Sequence, residues 1–414
     1  MGDRPGTASP PTPTGEPAPP PALLLQRSFA SLWWGQLISI LGERLTYLAL
    51  VGLLAVHTQS FRQANSSYLL ATLANVMLAP VLLFAPFTGA WVDRWNLRRV
   101  LVISDLTRSL LVFLIPAFYL VTHSTLPMFV IVFLMFTCNV FFLPAKSAIT
   151  PEIVPPGQLL GANALLAVAG IIATAIGALG GGWFIDHFGW SAALVVNGVT
   201  YLVSVVALLR IRYTSHQRTE ALVKVTLRSY LQDVRDGWGL VRSNPTVGLA
   251  LTALAAVWIG GGFLHVAGNL HVQRAASAPG MERVGALLAS LGVGSGFSTW
   301  WLNTHGRRFP RPALLGVGLV ITGIGIAAAP AFMLTETLLQ EGTEARTRGR
   351  VFSARDFLMR LVFLIGVTVA GWTTRTVGVP AALLTCAAIV AGTGLLTLTL
   401  SSRVPRAHRY PSVE

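Results

Sequence analysis

Residues 89–99 read Gly89-Ala-Trp-Val-Asp93-Arg94-Trp-Asn-Leu-Arg98-Arg99, a polar seam between long apolar runs at 68–91 and 99–121. The first run holds no Asp, Glu, Lys or Arg. An apolar stretch of about 20 residues covers the roughly 30 Å hydrocarbon core as a helix, whereas a membrane strand needs only about 10. Backbone groups in hydrocarbon must also be satisfied internally. The stretch therefore reads as two membrane helices joined by a charged turn held at one leaflet.

Working outward, the same alternation fills the chain. Apolar runs lie at 30–56, 68–91, 99–121, 126–145, 159–182, 189–211, 246–270, 284–302, 312–334, 357–376 and 379–401. Pro144 is expected to stop the fourth helix. Hydrophobic residues make up 53% and charged residues 11%, with a mean hydropathy of +0.64. Soluble domains carry about 25% charged residues, so this chain cannot cover a globular surface and must face lipid. The net charge of +14 would suit nucleic acid in a soluble protein. Here the arginines separate apolar runs, which excludes that reading. Cys138 and Cys386 lie inside apolar runs without metal spacing, and no phosphate-binding loop or other enzyme signature is present.

Charge placement gives the orientation. Asp93, Arg94, Arg98 and Arg99 follow run two, Arg210 to Arg242 follow run six, Arg307, Arg308 and Arg311 follow run eight, and Arg403, Arg406 and Arg409 close the chain. The connections after runs one, three and five hold Arg62 and no other Lys or Arg. Positive loops face the cytoplasm. Residues 1–26, rich in Pro, Thr, Gly and Ala, read as a disordered cytoplasmic tail and not as a signal peptide. The 212–245 connection places Leu227, Tyr230, Leu231, Val234, Trp238 and Val241 at helical spacing with Lys224, Arg228, Arg235 and Arg242 on other faces. It reads as an amphipathic surface helix or as a solvated linker.

The chain also compares with itself. Arg98 to Glu152 covers 54 positions, whereas the degenerate counterpart from Arg307 to Glu341 covers 34. The second half is short by about one crossing. Arg346, Arg348, Arg350, Arg355 and Arg360 after run nine also look cytoplasmic, so two alternatives follow: the ninth run crosses once and the last two helices invert against the charge rule, or it forms a re-entrant hairpin.

The Gly89-x-x-x-Asp93-Arg94-x-x-x-Arg98-Arg99 pattern resembles the signature between helices two and three of major facilitator superfamily transporters. Gly35-Gln36-Leu37, Leu41-Gly42-Glu43-Arg44, Ile103-Ser-Asp105-Leu-Thr-Arg108 and Gly349-Arg350-Val351-Phe352-Ser353 narrow the resemblance to the drug-exporting branch, with its macrolide-efflux and enterobactin-exporter proteins. It covers about residues 27–402 and implies an all-α fold of two helical bundles with alternating access and proton-driven export. The expected architecture is a bundle at 27–211, a linker at 212–245, a shortened bundle at 246–402 and a tail at 403–414. It holds about eleven membrane helices with the tenth shortened. The family's fifth-helix antiporter pattern of Gly-Pro followed by Gly-Gly is here Gly177-Ala178 with Gly181-Gly182.

Candidate site residues follow. Glu43 and Arg44 lie inside the first helix, where charge is costly and so faces the interior. Glu43 is read as a proton carrier or as the permanent partner of a basic residue, and Arg44 is grouped with it. Gly89, Asp93, Arg94, Arg98 and Arg99 are gating candidates, with Asp93 as a possible cap of the third helix. Asp105 and Arg108 share a helix face and are either part of the gate or structural glue. Asn139, His265 and Asn269 are substrate-cavity candidates or, like Asn163 and Asn197, interhelical hydrogen-bonders. Gly177-x-x-x-Gly181 and Gly292-x-x-x-Gly296 are expected to let the bundles slide. The resulting expectation is a multi-pass bacterial inner-membrane protein without cofactor or metal. It works as a monomer with protons, membrane lipid and a hydrophobic small molecule as partners, and no nucleic acid. A transport-incompetent membrane interaction protein and an uptake symporter are the alternatives.

Overall fold

The computed structural model describes residues 20–59, 61, 63, 65–92, 94–213, 245–274, 280–290 and 345–401, with isolated positions between 232 and 239 and between 304 and 320. The described backbone is helical throughout and contains no strand. After the short α1 (Pro20–Leu25) come α2 (Arg27–His57), α3 (Ser66–Val92), α4 (Leu97–Thr122), α5 (Leu126–Ile153) and α6 (Leu159–Leu209). In the second half, α7 (Pro245–Phe263) passes through a π-helical turn at Leu264–Gly268 into α8 (Asn269–Arg274). Residues 281–290 are helical, and α9 (Ala345–Thr376) and α10 (Val379–Ser401) end the described chain.

Among the described residues, eight helices are long and apolar enough to cross a membrane. The 51-residue α6 is too long for one crossing at 1.5 Å per residue. It breaks at Gly189, with φ 83° and ψ 163°, a conformation essentially reserved for glycine. The two arms fold against α2. Along α2, Gly35 meets Ser204 and Ala207, Gly42 meets Asn197 and Thr200, and Gly52 meets Trp190, so the second arm runs antiparallel. The first arm runs parallel, with Gly177 against Leu41 and Arg44 and Gly181 against Leu45 and Leu48. Small residues let these backbones approach closely in lipid, where dispersion replaces the hydrophobic drive between helices.

The same contacts fix direction in the second half. Asn75 bonds Thr368 while Ser67 and Ala71 meet Gly371, so α9 runs antiparallel to α3. Helix α7 runs parallel to α9, because Val247 shares a small apolar cluster with Met359 while Gly262 meets Gly366 and Val367. Arg27, Arg94, Arg98, Arg99, Arg210 and Arg212 therefore share one side with the starts of α7 and α9 and the end of α10. The turns at 57–66, 122–126, 189 and 377–378 lie on the other. By the charge rule the arginine side is cytoplasmic.

Four expectations change. The inversion of the last two helices is overturned, because α9 starts on the cytoplasmic side. Pro144 does not end the fourth helix. Helix α5 continues through Pro144 and Pro151 to Ile153, since neighbouring helices and local adjustment in the membrane compensate the lost backbone bond. The tail reading gives way from Pro20 onward, where α1 buries Leu23 against Phe29, Trp33 and Ala162, and Gln26 bonds Gln158 at 2.7 Å. The cap of α4 is Asn96, whose side chain accepts from the Arg99 amide at 3.0 Å. The amphipathic segment at 212–245, the Gly292–Gly296 pair, the shortened tenth helix and Asp93 lie essentially outside the described residues.

Candidate functional site

A charged cluster sits midway through the first six crossings. Arg108 on α4 is 2% exposed, yet it carries a full charge into hydrocarbon. It donates from Nη1 to Glu43 Oε1 on α2 at 2.6 Å and from Nη2 to Asp105 Oδ1 one turn earlier on its own helix. Asn139 Oδ1 on α5 accepts from Nη1 at 3.3 Å. Phe142 and Tyr201 lie against the guanidinium, each ring centroid 4.6 Å from Cζ. A planar guanidinium suits this environment, since its edge binds carboxylates while its faces stack on rings.

The two carboxylates differ in access. Asp105 is fully buried, whereas the Glu43 side chain is 35% exposed. Glu43 borders a cavity of about 50 Å³ lined by Thr46, Tyr47, Met77, Met135, Phe136, Tyr201, Arg108 and Asn139. That volume holds about one or two waters, well below the roughly 300 Å³ lower bound for a drug-sized pocket.

The cavity wall joins the two halves. Tyr47 Oη lies 3.1 Å from His265 Nδ1 and accepts from Asn269 Nδ2 at 3.4 Å. Asn269 also donates to the His265 carbonyl at 2.5 Å. His265 sits in the π-helical turn and Asn269 follows it. Such turns insert an extra residue into the helical ladder and often mark functional sites. Asn269 Oδ1 is buried without a hydrogen-bond partner.

The candidates divide accordingly. Glu43, Asp105, Arg108 and Asn139 come together, and His265 and Asn269 reach the same cavity through Tyr47. Asp105 and Arg108 lie deep in the bundle and away from the cytoplasmic turn. Arg44 points elsewhere: it is exposed, with its stem packed on Gly177. At the cytoplasmic turn, Arg98 donates to the Leu209 carbonyl at 2.7 Å, a cation at a helix C-terminus. Arg94 and Arg99 are exposed, and Gly89 lies in α3. Gly177 and Gly181 pack within one half, against α2. The close approach between halves is made by Ala178 and Gly182 instead: a Cβ on Gly182 would stand 2.4 Å from the Met281 carbonyl. Asn197 bonds Thr46 at 2.5 Å and Asn163 is exposed.

Sequence reasoning passed over Tyr47, Thr46, Tyr201 and Lys146. Lys146 follows Asn139 by two turns on α5 and is within electrostatic reach of Glu43, Arg108 and Asp105. A lysine inside an apolar helix was the available signal; the tyrosines gave none, because aromatic residues in membrane runs usually face lipid or the interface.

The model of the Major Facilitator Superfamily matches residues 32–337. Among curated relatives, the proposed bacilysin exporter BacE of Bacillus amyloliquefaciens is 24% identical, covering 81% of this chain and 86% of its own length. Macrolide efflux protein A of Streptococcus pyogenes is 22% identical, covering 85% and 90%. A crystal structure of a peptide transporter aligns with a TM-score of 0.69 at 11% identity, covering 93% of this chain and 99% of that one. That likeness is one of fold.

Proposed function

The chain belongs to the major facilitator superfamily, and from this we propose that it exports hydrophobic small molecules by alternating access, with Glu43 as the residue that loads and releases the driving proton. The observation that carries the proposal is the Glu43–Arg108–Asp105 cluster at the cavity. Asp105 and Arg108 form a buried pair of opposite charges, so Glu43 is a further carboxylate on the same guanidinium. An intramembrane carboxylate is costly, and a cost that one proton removes makes the group a natural carrier. The partial exposure of Glu43 to the cavity gives that proton a route, which Asp105 lacks.

The direction of transport is drawn from the relatives named for bacilysin export and macrolide efflux. Aromatic and methionine side chains around the cavity, Phe136, Met77 and Met135, suit an apolar substrate bound by area and shape once the halves part and the cavity of about 50 Å³ widens. Asn139, Tyr47, His265 and Asn269 supply the few polar contacts. Asp93 and Arg94 serve as the cytoplasmic gate, as the family signature implies.

Drug-susceptibility profiling in a host lacking its own pumps supplies the substrate. Everted vesicles then accumulate that compound only while a pH gradient stands, and collapsing the gradient stops uptake. Accumulation that persists without any gradient rejects the proposal.

A further inference from the structure

The 281–290 helix follows Gly280, which has no side chain with which to cap it. Residues 277–282 read Ser-Ala-Pro-Gly-Met-Glu, and an ordinary cap would be a Ser, Thr, Asp or Asn immediately before the first turn. The cap comes from the other half of the molecule. Asp186, near the outer end of the first arm of α6, accepts the Met281 amide on Oδ1 at 2.8 Å and the Glu282 amide on Oδ2 at 2.9 Å. Acceptor and donors are 95 and 96 positions apart. The negative carboxylate also faces the positive end of the helix dipole, and charge-assisted bonds of this kind are stronger than neutral ones.

Backbone packing keeps the two helices in register. A Cβ on Gly285 would stand 2.1 Å from the Ala178 carbonyl, and Gly182 meets Met281 and Glu282 as closely. Other links between the halves lie on the same outer side. Arg274 donates to the Phe61 carbonyl at 3.0 and 3.2 Å, Arg375 lies over the Tyr68 ring at 4.9 Å, and Asn75 bonds Thr368 at 3.0 Å. On the cytoplasmic side, by contrast, the described apolar clusters each draw on one half alone.

We propose that Asp186 is the latch of the outer gate: a cap donated across the halves that holds the outer side shut and must break each time that side opens. The proposal rests on the transport reading above. Alternating access requires the outer contacts to be reversible, and a cap exposed to water suits this, because its broken state is hydrated on both partners. A wholly apolar seam of the same extent would open at greater cost. Asp186 is exposed, so its replacement leaves the core intact.

The test reads conformation and not transport. In a chain with Cys138 and Cys386 replaced by Ala, Ser67→Cys places a thiol at a buried position where α3 meets α9. That site is remote from Asp186, so it reports opening of the whole outer side. A membrane-impermeant maleimide is added to intact cells. Losing a cap typically shifts a two-state equilibrium about five-fold, so Asp186→Ala should raise the labelling rate by about that factor. Asp186→Asn, which keeps one acceptor and loses the charge, should fall between it and the parent. Gly182→Ala, which wedges the seam directly, serves as the positive control. Faster labelling in Gly182→Ala with no change in Asp186→Ala overturns the latch. The graded rise supports it even if no vesicle assay finds transport, so failure of the transport reading is distinguishable from failure of the latch.

Discussion

At the scale of single residues, Arg108 anchors the site. It is fully buried between two aromatic rings and two carboxylates. Removing one partner of a buried ion pair leaves uncompensated charge and costs about 3–5 kcal/mol. Arg108→Ala should therefore lose most of its folded yield, read by size-exclusion chromatography in detergent. Arg108→Lys should recover little, because an ammonium can neither fork between the carboxylates nor stack on Phe142 and Tyr201. Glu43→Gln should behave oppositely and fold normally, since Asp105 still neutralises Arg108. The Asp105–Arg108 pair was legible from its three-residue spacing, and Glu43 from its charge inside an apolar run. Their union was not, because nothing local in the sequence says which helices are neighbours. Arg44 shows the converse limit. Its charge drew attention, but one position along a helix turns a side chain by about 100°, and Arg44 leaves the cavity that Glu43 faces.

At the scale of elements, the apolar runs located the described crossings well, because hydrocarbon thickness dictates their length. The break in α6 was visible as the gap between the runs at 159–182 and 189–211, and the structure puts its turn at Gly189. Gly189→Ala forces a Cβ into a conformation costing about 1–3 kcal/mol, so the apparent melting temperature in detergent should fall. Gly42→Ala should cost as much for a different reason. Its Cβ would lie 2.0 Å from Thr200 Oγ1 and 2.1 Å from Asn197 Oδ1, and overpacking of this kind costs about 1–3 kcal/mol. A control such as Gly170→Ala, with open space around the Cβ position, should not lower the melting temperature and should raise it slightly, because alanine is the better helix former. Proline stops helices in water, where freed backbone groups have competing partners, whereas α5 carries Pro144 through in the membrane. Asp186 went unnoticed because its partners lie 95 positions away.

At the scale of the whole molecule, arginine placement gave the orientation of the first half. The final helices needed the structure, since the short stretch between Arg311 and Arg346 left inversion open against the charge pattern. The antiparallel pairing of α3 with α9 puts the start of α9 and the end of α10 beside the Arg94–Arg99 turn. A reporter enzyme active only in the cytoplasm, fused after the last residue, should accordingly be active, and an exported reporter fused there should be silent. The family match gives the transporter fold, and transport driven by a proton at Glu43 is the proposal built on it. The most direct measurement follows dissipation of a pre-formed pH gradient in everted vesicles when the identified substrate is added. Wild-type vesicles should lose the gradient, whereas vesicles carrying equal amounts of folded Glu43→Gln should retain it. Equal dissipation by both proteins would contradict the account.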